Sequence, residues 1–175
     1  THGSGDATGD EGFSGGAHGN DDAHDFTITG SVPGVEGLNI GFGAAQKNTQ
    51  SATTGLSGES SQTAYATYAY GPVTVGYQVG ANESAGAATG YVNRYIGISY
   101  AVSDDLSVSY NTTESRKNAA SGAWAANTKQ DWDSLSASYS MGGMTFNIAD
   151  SDCSNCSYTN GRKIDETTVS LTVAF

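Results

Sequence analysis

The sequence predicts an all-β fold in which antiparallel strands follow one another up and down in a single sheet. Three observations support this prediction. Apolar and polar residues alternate with period two in nine successive segments between residues 25 and 175, the connections between these segments alternate between short and long, and leucine is scarce. No run approaches the ~18 consecutive apolar residues of a membrane-spanning helix.

The composition suits a sheet with one apolar face better than a filled globular core. The 175 residues include 24 Gly and 10 Tyr, and only 14% are charged. A soluble core of this size normally uses Leu, Ile and Val in quantity. The formal net charge of -11, from 18 acidic and 7 basic residues, argues against nucleic acid as a partner.

The alternation defines the strands in chain order, because a strand presents alternate side chains to opposite sides. In the first two strands the apolar phase holds Phe26 and Ile28, then Leu38, Ile40 and Phe42. The third strand is ambiguous in phase, with Tyr65 on one face and Tyr68 and Tyr70 on the other. The apolar phase continues with Val73, Val75, Tyr77 and Val79; Ile96, Ile98 and Tyr100; Leu106, Val108 and Tyr110; Leu135, Ala137 and Tyr139; Met144, Phe146 and Ile148; and Val169, Leu171, Val173 and Phe175.

The connections predict where the strand ends lie. The short connections are residues 32–37, 71–72, 103–105 and 142–143, and the long ones are residues 1–24, 48–61, 81–90, 114–130 and 151–164. All tight turns then lie at one end of the sheet, as in outer-membrane barrels, whereas a Greek-key sandwich has long crossovers at both ends. We therefore predict a transmembrane up-and-down antiparallel β-barrel.

The domain organisation follows from the same pattern. Residues 25–175 are predicted to be the C-terminal part of a single β-barrel domain, and residues 1–24 an acidic, Gly-rich external loop. Bacterial single-chain barrels use even strand numbers, and porins with an aqueous channel have ~16–18 strands. We expect the nine visible strands to belong to a barrel of ~16 strands, with the chain incomplete at its N-terminus.

Residues 165–175, Asp-Glu-Thr-Thr-Val-Ser-Leu-Thr-Val-Ala-Phe, resemble the terminal strand of Gram-negative general diffusion porins. In that family a final Phe with apolar residues at alternate preceding positions is the signal for the outer-membrane assembly machinery, and Val169, Leu171, Val173 and Phe175 match it. The resemblance, which extends over residues 25–175, implies a homotrimeric, water-filled channel in the outer membrane. It also implies contact with lipid and lipopolysaccharide, with external long loops and Phe175 at the periplasmic rim. The family's constriction loop would precede residue 1.

The candidate pore-lining residues are polar side chains opposite the apolar phase. They are Asn39, Lys47, Gln78, Ser107, Asn111, Lys117, Asn147, Glu166, Ser170 and Thr172. The alternative is that they form the wet face of any exposed antiparallel sheet. Lys47, Lys117 and Glu166 fall near the outer mouth, where charge biases ion selectivity, although a solvated rim position is the alternative for each.

Arg94 and Arg116 fall on the lipid-facing phase at the outer ends of their strands. Guanidinium groups match phosphate oxygens, so these residues are candidate contacts for lipopolysaccharide. The alternative is that each extends its charged end to water.

Cys153 and Cys156 are predicted to form a small disulfide in an oxidising compartment, since no second cysteine pair exists to complete a zinc site. We predict no metal site and no cofactor. The histidines, His2, His18 and His24, are expected to occupy a flexible loop, and no Ser–His–Asp set is defensible, which predicts that the chain is not an enzyme.

Two alternatives to a channel remain at this point. One is a structural or adhesive outer-membrane barrel whose external loops make surface contacts, and the other is a soluble secreted β-protein such as an adhesin sandwich.

Overall fold

A computed structural model of the chain describes residues 2–4, 22–51, 55–84, 89–118 and 129–174. The strands are β1 (His2–Ser4), β2 (Asp22–Ser31), β3 (Leu38–Ser51), β4 (Gly55–Tyr70), β5 (Val73–Ser84), β6 (Thr89–Ala101), β7 (Leu106–Asn118), β8 (Lys129–Met141), β9 (Met144–Ser154) and β10 (Lys163–Val173). A 3-10 turn, Cys156–Tyr158, lies between β9 and β10. The described residues include no helix long and apolar enough to cross a membrane.

The strands form one antiparallel sheet in which spatial order equals chain order, from β1 to β10. This confirms the predicted nine-stranded up-and-down sheet, which corresponds to β2–β10. A Greek-key sandwich would place non-consecutive strands side by side, and the described sheet has no such pair. Among the described strands, β1 and β10 form the two edges of the sheet.

Several strands extend into segments that were predicted to be long loops. Strand β4 has 16 residues, whereas a transmembrane strand needs about 9–11. Only residues 52–54 separate β3 from β4, and only residues 85–88 separate β5 from β6, so the predicted loops 48–61 and 81–90 are wrong in their bounds. The sequence of the missed ends is mostly glycine and polar residues, so the alternation is absent there although backbone pairing continues.

The first segment also differs from its prediction. Strand β2 begins at Asp22 rather than at residue 25, and its first residues, Asp22, Ala23 and His24, pair with β1. Part of the predicted loop 1–24 is therefore paired strand, while residues 5–21 lie outside the described part of the chain.

The sheet has one apolar face without a covering layer. Ile28, Leu135 and Leu171 are 60%, 61% and 61% exposed, and among the described residues only Cys153 and Cys156 are buried apolar side chains. Leaving such a side chain in water forgoes about 1.5–3 kcal/mol relative to burial. A face of this extent indicates contact with an apolar medium.

The turn of residues 32–37 offers a stability test with a matched control. Gly34 and Gly37 both have φ of +82°, which strains any L side chain, but only at Gly37 would a Cβ lie 2.2 Å from the carbonyl oxygen of Ala69. The amide of Ala69 also donates to the carbonyl of Gly37 at 3.0 Å. We expect Gly37→Ala to lower the free energy of unfolding by about 1–3 kcal/mol more than Gly34→Ala, because the added methyl group must displace backbone. Unfolding by guanidinium chloride in lipid vesicles measures the stability of both variants. Equal losses of unfolding free energy in the two variants would contradict this prediction.

Candidate functional site

The polar face of the sheet is the candidate functional surface. Residues that lie opposite one another in an antiparallel pair share a face, so the register assigns each side chain to a side. Asn147, for example, lies opposite Ser138 and Ser170. The same register places every predicted pore-lining residue on this face, namely Asn39, Lys47, Gln78, Ser107, Asn111, Lys117, Asn147, Glu166, Ser170 and Thr172. Their pore-lining role stays a prediction.

Side-chain hydrogen bonds join polar residues of neighbouring strands on this face. The hydroxyl oxygens of Ser109 and Ser136 are 2.7 Å apart. Ser151 Oγ donates to Ser134 Oγ at 2.9 Å. These bonds hold the side chains in place on a surface that is polar and uncharged at these positions, which suits contact with water.

The connection between β9 and β10, residues 155–162, folds over the polar face; we call it the inward loop. Cys153 and Cys156 are joined by a disulfide at its start, and both are 1% exposed. Asn155 Nδ2 donates to the carbonyl of Lys129 at 3.1 Å, and the amide of Ser157 donates to Gln130 Oε1 at 2.6 Å. The loop is thus tied to the start of β8.

Tyr158 carries the inward loop further, to β6 and β7. Its hydroxyl lies 2.7 Å from Ser115 Oγ, and because Ser115 donates its own proton to Asn93 Oδ1, Tyr158 is the donor. The Tyr158 ring lies 5.6 Å from the ring of Tyr91, and Lys117 Nζ lies 5.8 and 5.9 Å from the two ring centres. The sequence predicted a connection here, residues 151–164, but not its docking on the polar face, because these contacts join residues far apart in the chain.

The inward loop also holds strained backbone. Asn155, Ser157 and Tyr158 have φ of 54°, 56° and 56°, and they are the described non-glycine residues with positive φ. Such conformations cost of order 1–3 kcal/mol each and persist where surrounding contacts determine them. The loop is therefore a docked element of the polar face.

Three aromatic side chains lie across the polar face at one level; we call Tyr65, Tyr95 and Trp132 the aromatic row. Gln78 lies opposite both Tyr65 and Tyr95, and Thr113 lies opposite both Tyr95 and Trp132. Adjacent members are thus two strands apart, which separates their backbone positions by about 10 Å. The sequence already placed Tyr65 on the face opposite to Tyr68 and Tyr70. The row as a whole could not be predicted, because it depends on the register between strands.

The ends of β6–β8 that lie away from the short turns carry a charged cluster on the apolar face. Glu114 is its centre: Oε1 lies 3.6 Å from Arg94 Nη1 and 2.8 Å from Arg116 Nε, and Oε2 lies 3.1 Å from Lys129 Nζ. Lys129 also contacts Asp131 at 3.0 Å. Arg94 and Arg116 are about half exposed, and Glu114, which was not predicted, offsets part of their charge. Lipopolysaccharide binding by this pair stays a prediction.

Of the predicted assembly signal, Val169, Leu171 and Val173 lie on the apolar face of β10, with Val169 opposite Ile148. All three are exposed on the edge strand. Phe175 lies outside the described residues. Recognition by the assembly machinery stays a prediction.

Comparison with known proteins gives a likeness in fold. No protein-family model and no curated protein matches the chain. The chain is similar to the solved structure of OmpT, an outer membrane protein of Vibrio cholerae folded in vitro, with a TM-score of 0.61 and 11% sequence identity. The match covers 87% of this chain and 53% of that one, so the chain spans about half the length of OmpT. At this identity the likeness concerns the fold alone.

The expectation that the chain is not an enzyme is corrected. Its premise, that the histidines occupy a loop, is wrong for His2 and His24, which lie opposite each other in β1 and β2. The likeness to OmpT also overturns the exclusion of an enzyme. Proteins that share one fold can have different activities, and the absence of a recognised catalytic motif from the sequence does not decide between them. What the topology and this comparison together establish is the fold of an outer-membrane β-barrel wall.

Proposed function

We propose that this chain forms part of the wall of a water-filled channel in the cell outer membrane, through which small hydrophilic solutes and ions diffuse down their gradients. The observation that carries the proposal is a single sheet with an exposed apolar face backed by a hydrogen-bonded polar face. Each strand between the two edges pairs its backbone with both neighbours, and within a closed barrel such a wall is stable where lipid covers one face and water the other.

The apolar face supports the lipid side of this proposal. Its middle carries aliphatic and aromatic side chains such as Ile96 and Tyr77, both exposed. Towards the short turns it carries Tyr70 and Tyr100, which both lie opposite Val73, and Tyr139, opposite Leu106. Tyrosines at this level are typical of the belt that barrels place at the membrane–water interface.

The polar face supports a channel with weak charge preference. Lys47 lies opposite Glu59 on the polar face, while Lys117 and Glu166 lie on β7 and β10. Charges of both signs on one wall favour no strong selection between anions and cations, since selectivity follows the net field of the lining residues. The partners expected from the sequence, namely outer-membrane lipid, lipopolysaccharide, the assembly machinery and two further copies in a homotrimer, belong to this proposal.

Planar bilayer recording of the purified full-length protein tests the proposal. We expect discrete current steps after insertion, and no steps from the same protein after heat denaturation. A correctly folded protein that inserts without producing steps would contradict the channel. That result would favour the alternative, a structural or adhesive outer-membrane barrel.

A further inference from the structure

A cavity of about 350 Å³ opens on the polar face between the first two members of the aromatic row. Tyr65 and Tyr95 form its sides, and Gly76, which carries no side chain, lies between them. Polar groups come from Gln78, Asn111, Thr67 and Thr113. The cavity is within the size range of small-molecule sites, near its lower end.

The lining side chains are held in place before any ligand arrives. A Cβ at Gly41 would lie 2.2 Å from the Tyr65 ring, so this ring packs directly over the Gly41 backbone. Asn111 lies over Gly97 in the same way, with Oδ1 2.5 Å from where a Cβ would stand. Gln78 Nε2 donates to Thr63 Oγ1 at 2.9 Å, a bond that leaves its second N–H and its carbonyl oxygen for other partners. Groups held in this way lose little entropy on binding.

The chemistry of the lining selects a class of ligand. Tyrosine rings offer flat apolar surfaces. Amide side chains offer both a donor and an acceptor, and threonine hydroxyls offer either. No charged side chain is among the described residues that line the cavity. A neutral sugar, which presents C–H faces to aromatic rings and hydroxyls to amides, matches this set better than a phosphorylated or ionic solute.

We propose that the cavity is a binding subsite for neutral sugars and that the aromatic row continues it towards Trp132. The proposal rests on the proposed channel and names a solute class for it. Barrel strands tilt by about 35–45° from the axis, so a row perpendicular to the strands rises along the wall. A chain of sugar rings therefore meets Tyr65, Tyr95 and Trp132 in succession along an inclined path.

Maltotriose block of the current through the full-length protein tests the subsite. We expect a saturable block, with an affinity about two- to tenfold weaker in Tyr65→Ala and in Tyr95→Ala, since each removes one ring. Tyr68→Ala and Tyr100→Ala are matched controls on the same strands but on the apolar face, and should keep wild-type affinity. A polyethylene glycol of similar size should not saturate.

The outcomes separate the subsite from the channel. Equal block by maltotriose and polyethylene glycol, or equal affinity in all four variants, would overturn the subsite while leaving the channel in place. If the protein gives no current, calorimetric titration of maltotriose into the folded protein decides the subsite by itself. Binding that weakens in the Tyr65 and Tyr95 variants supports it, and absence of binding overturns it.

Discussion

Replacement of Ile148 by arginine is expected to lower the free energy of unfolding in lipid vesicles by about 2–4 kcal/mol, whereas the same replacement at Asn147 changes it by less than about 1 kcal/mol. The two residues are adjacent in β9, and each replacement adds the same positive charge to the same strand. Ile148 lies opposite Ala137 and Val169 on the apolar face, while Asn147 faces the polar side. Only at Ile148 does the guanidinium enter the hydrocarbon of the membrane.

Unfolding by guanidinium chloride in lipid vesicles measures the stability of both variants. The reversal potential under a salt gradient measures their ion selectivity. Asn147→Arg adds a positive charge to the lining and should shift selectivity towards anions, while a folded fraction of Ile148→Arg should not. Equal destabilisation of the two variants would show that the apolar face does not meet lipid. A stable Asn147→Arg protein with unchanged selectivity would remove the polar face from the channel lining.

Replacement of Tyr158 by alanine is expected to release the inward loop and to raise the mean conductance and its fluctuation. The variant loses a hydrogen bond to Ser115, a ring contact with Tyr91 and one cation–π contact with Lys117. Taken together at about 2 kcal/mol, these losses shift the ratio of docked to undocked loop by roughly 30-fold. The positive φ values of Asn155 and Ser157 add to this, because an undocked loop relaxes them.

Single-channel recording separates the contributions to loop docking. Tyr158→Phe keeps the ring and loses only the hydroxyl, so its conductance should lie between those of wild type and Tyr158→Ala. Reduction of the Cys153–Cys156 disulfide should have less effect than Tyr158→Ala, since so short a ring constrains little chain entropy. Tyr158→Ala channels indistinguishable from wild type would mean that the loop lies clear of the conducting path.

The sheet and its two faces could be predicted from the sequence because both are local properties. Period-two alternation assigns Val73, Val75 and Tyr77 to one side before any partner strand is known. The same signal fails where neither face needs apolar residues, so the extension of β3 and β4 into residues 48–61 was missed. Strand pairing in this segment is made by backbone N–H and C=O groups. Because nearly every residue has these groups, the pairing leaves no pattern in the sequence.

The candidate site was less predictable, because its parts meet only after folding. The polar residues could be assigned to a face one strand at a time, but the aromatic row needs the register of β4 to β8. Glu114 falls on the apolar phase, where a carboxylate is unexpected until three cations are found around it. The short Cys153–Cys156 spacing predicted a pinned loop without indicating which face the loop covers.

The inward loop also has a consequence for the order of folding events. Each hairpin of the sheet joins neighbours in sequence, so the sheet can grow by one strand at a time with little cost in loop closure. The Ser115–Tyr158 bond instead joins residues 43 apart and requires β7, β8 and β9 already to be in place. Docking of the loop is thus a late, long-range event in a chain whose strand pairings are local. The width of the open space above the polar face is therefore set only after the sheet beneath it has formed.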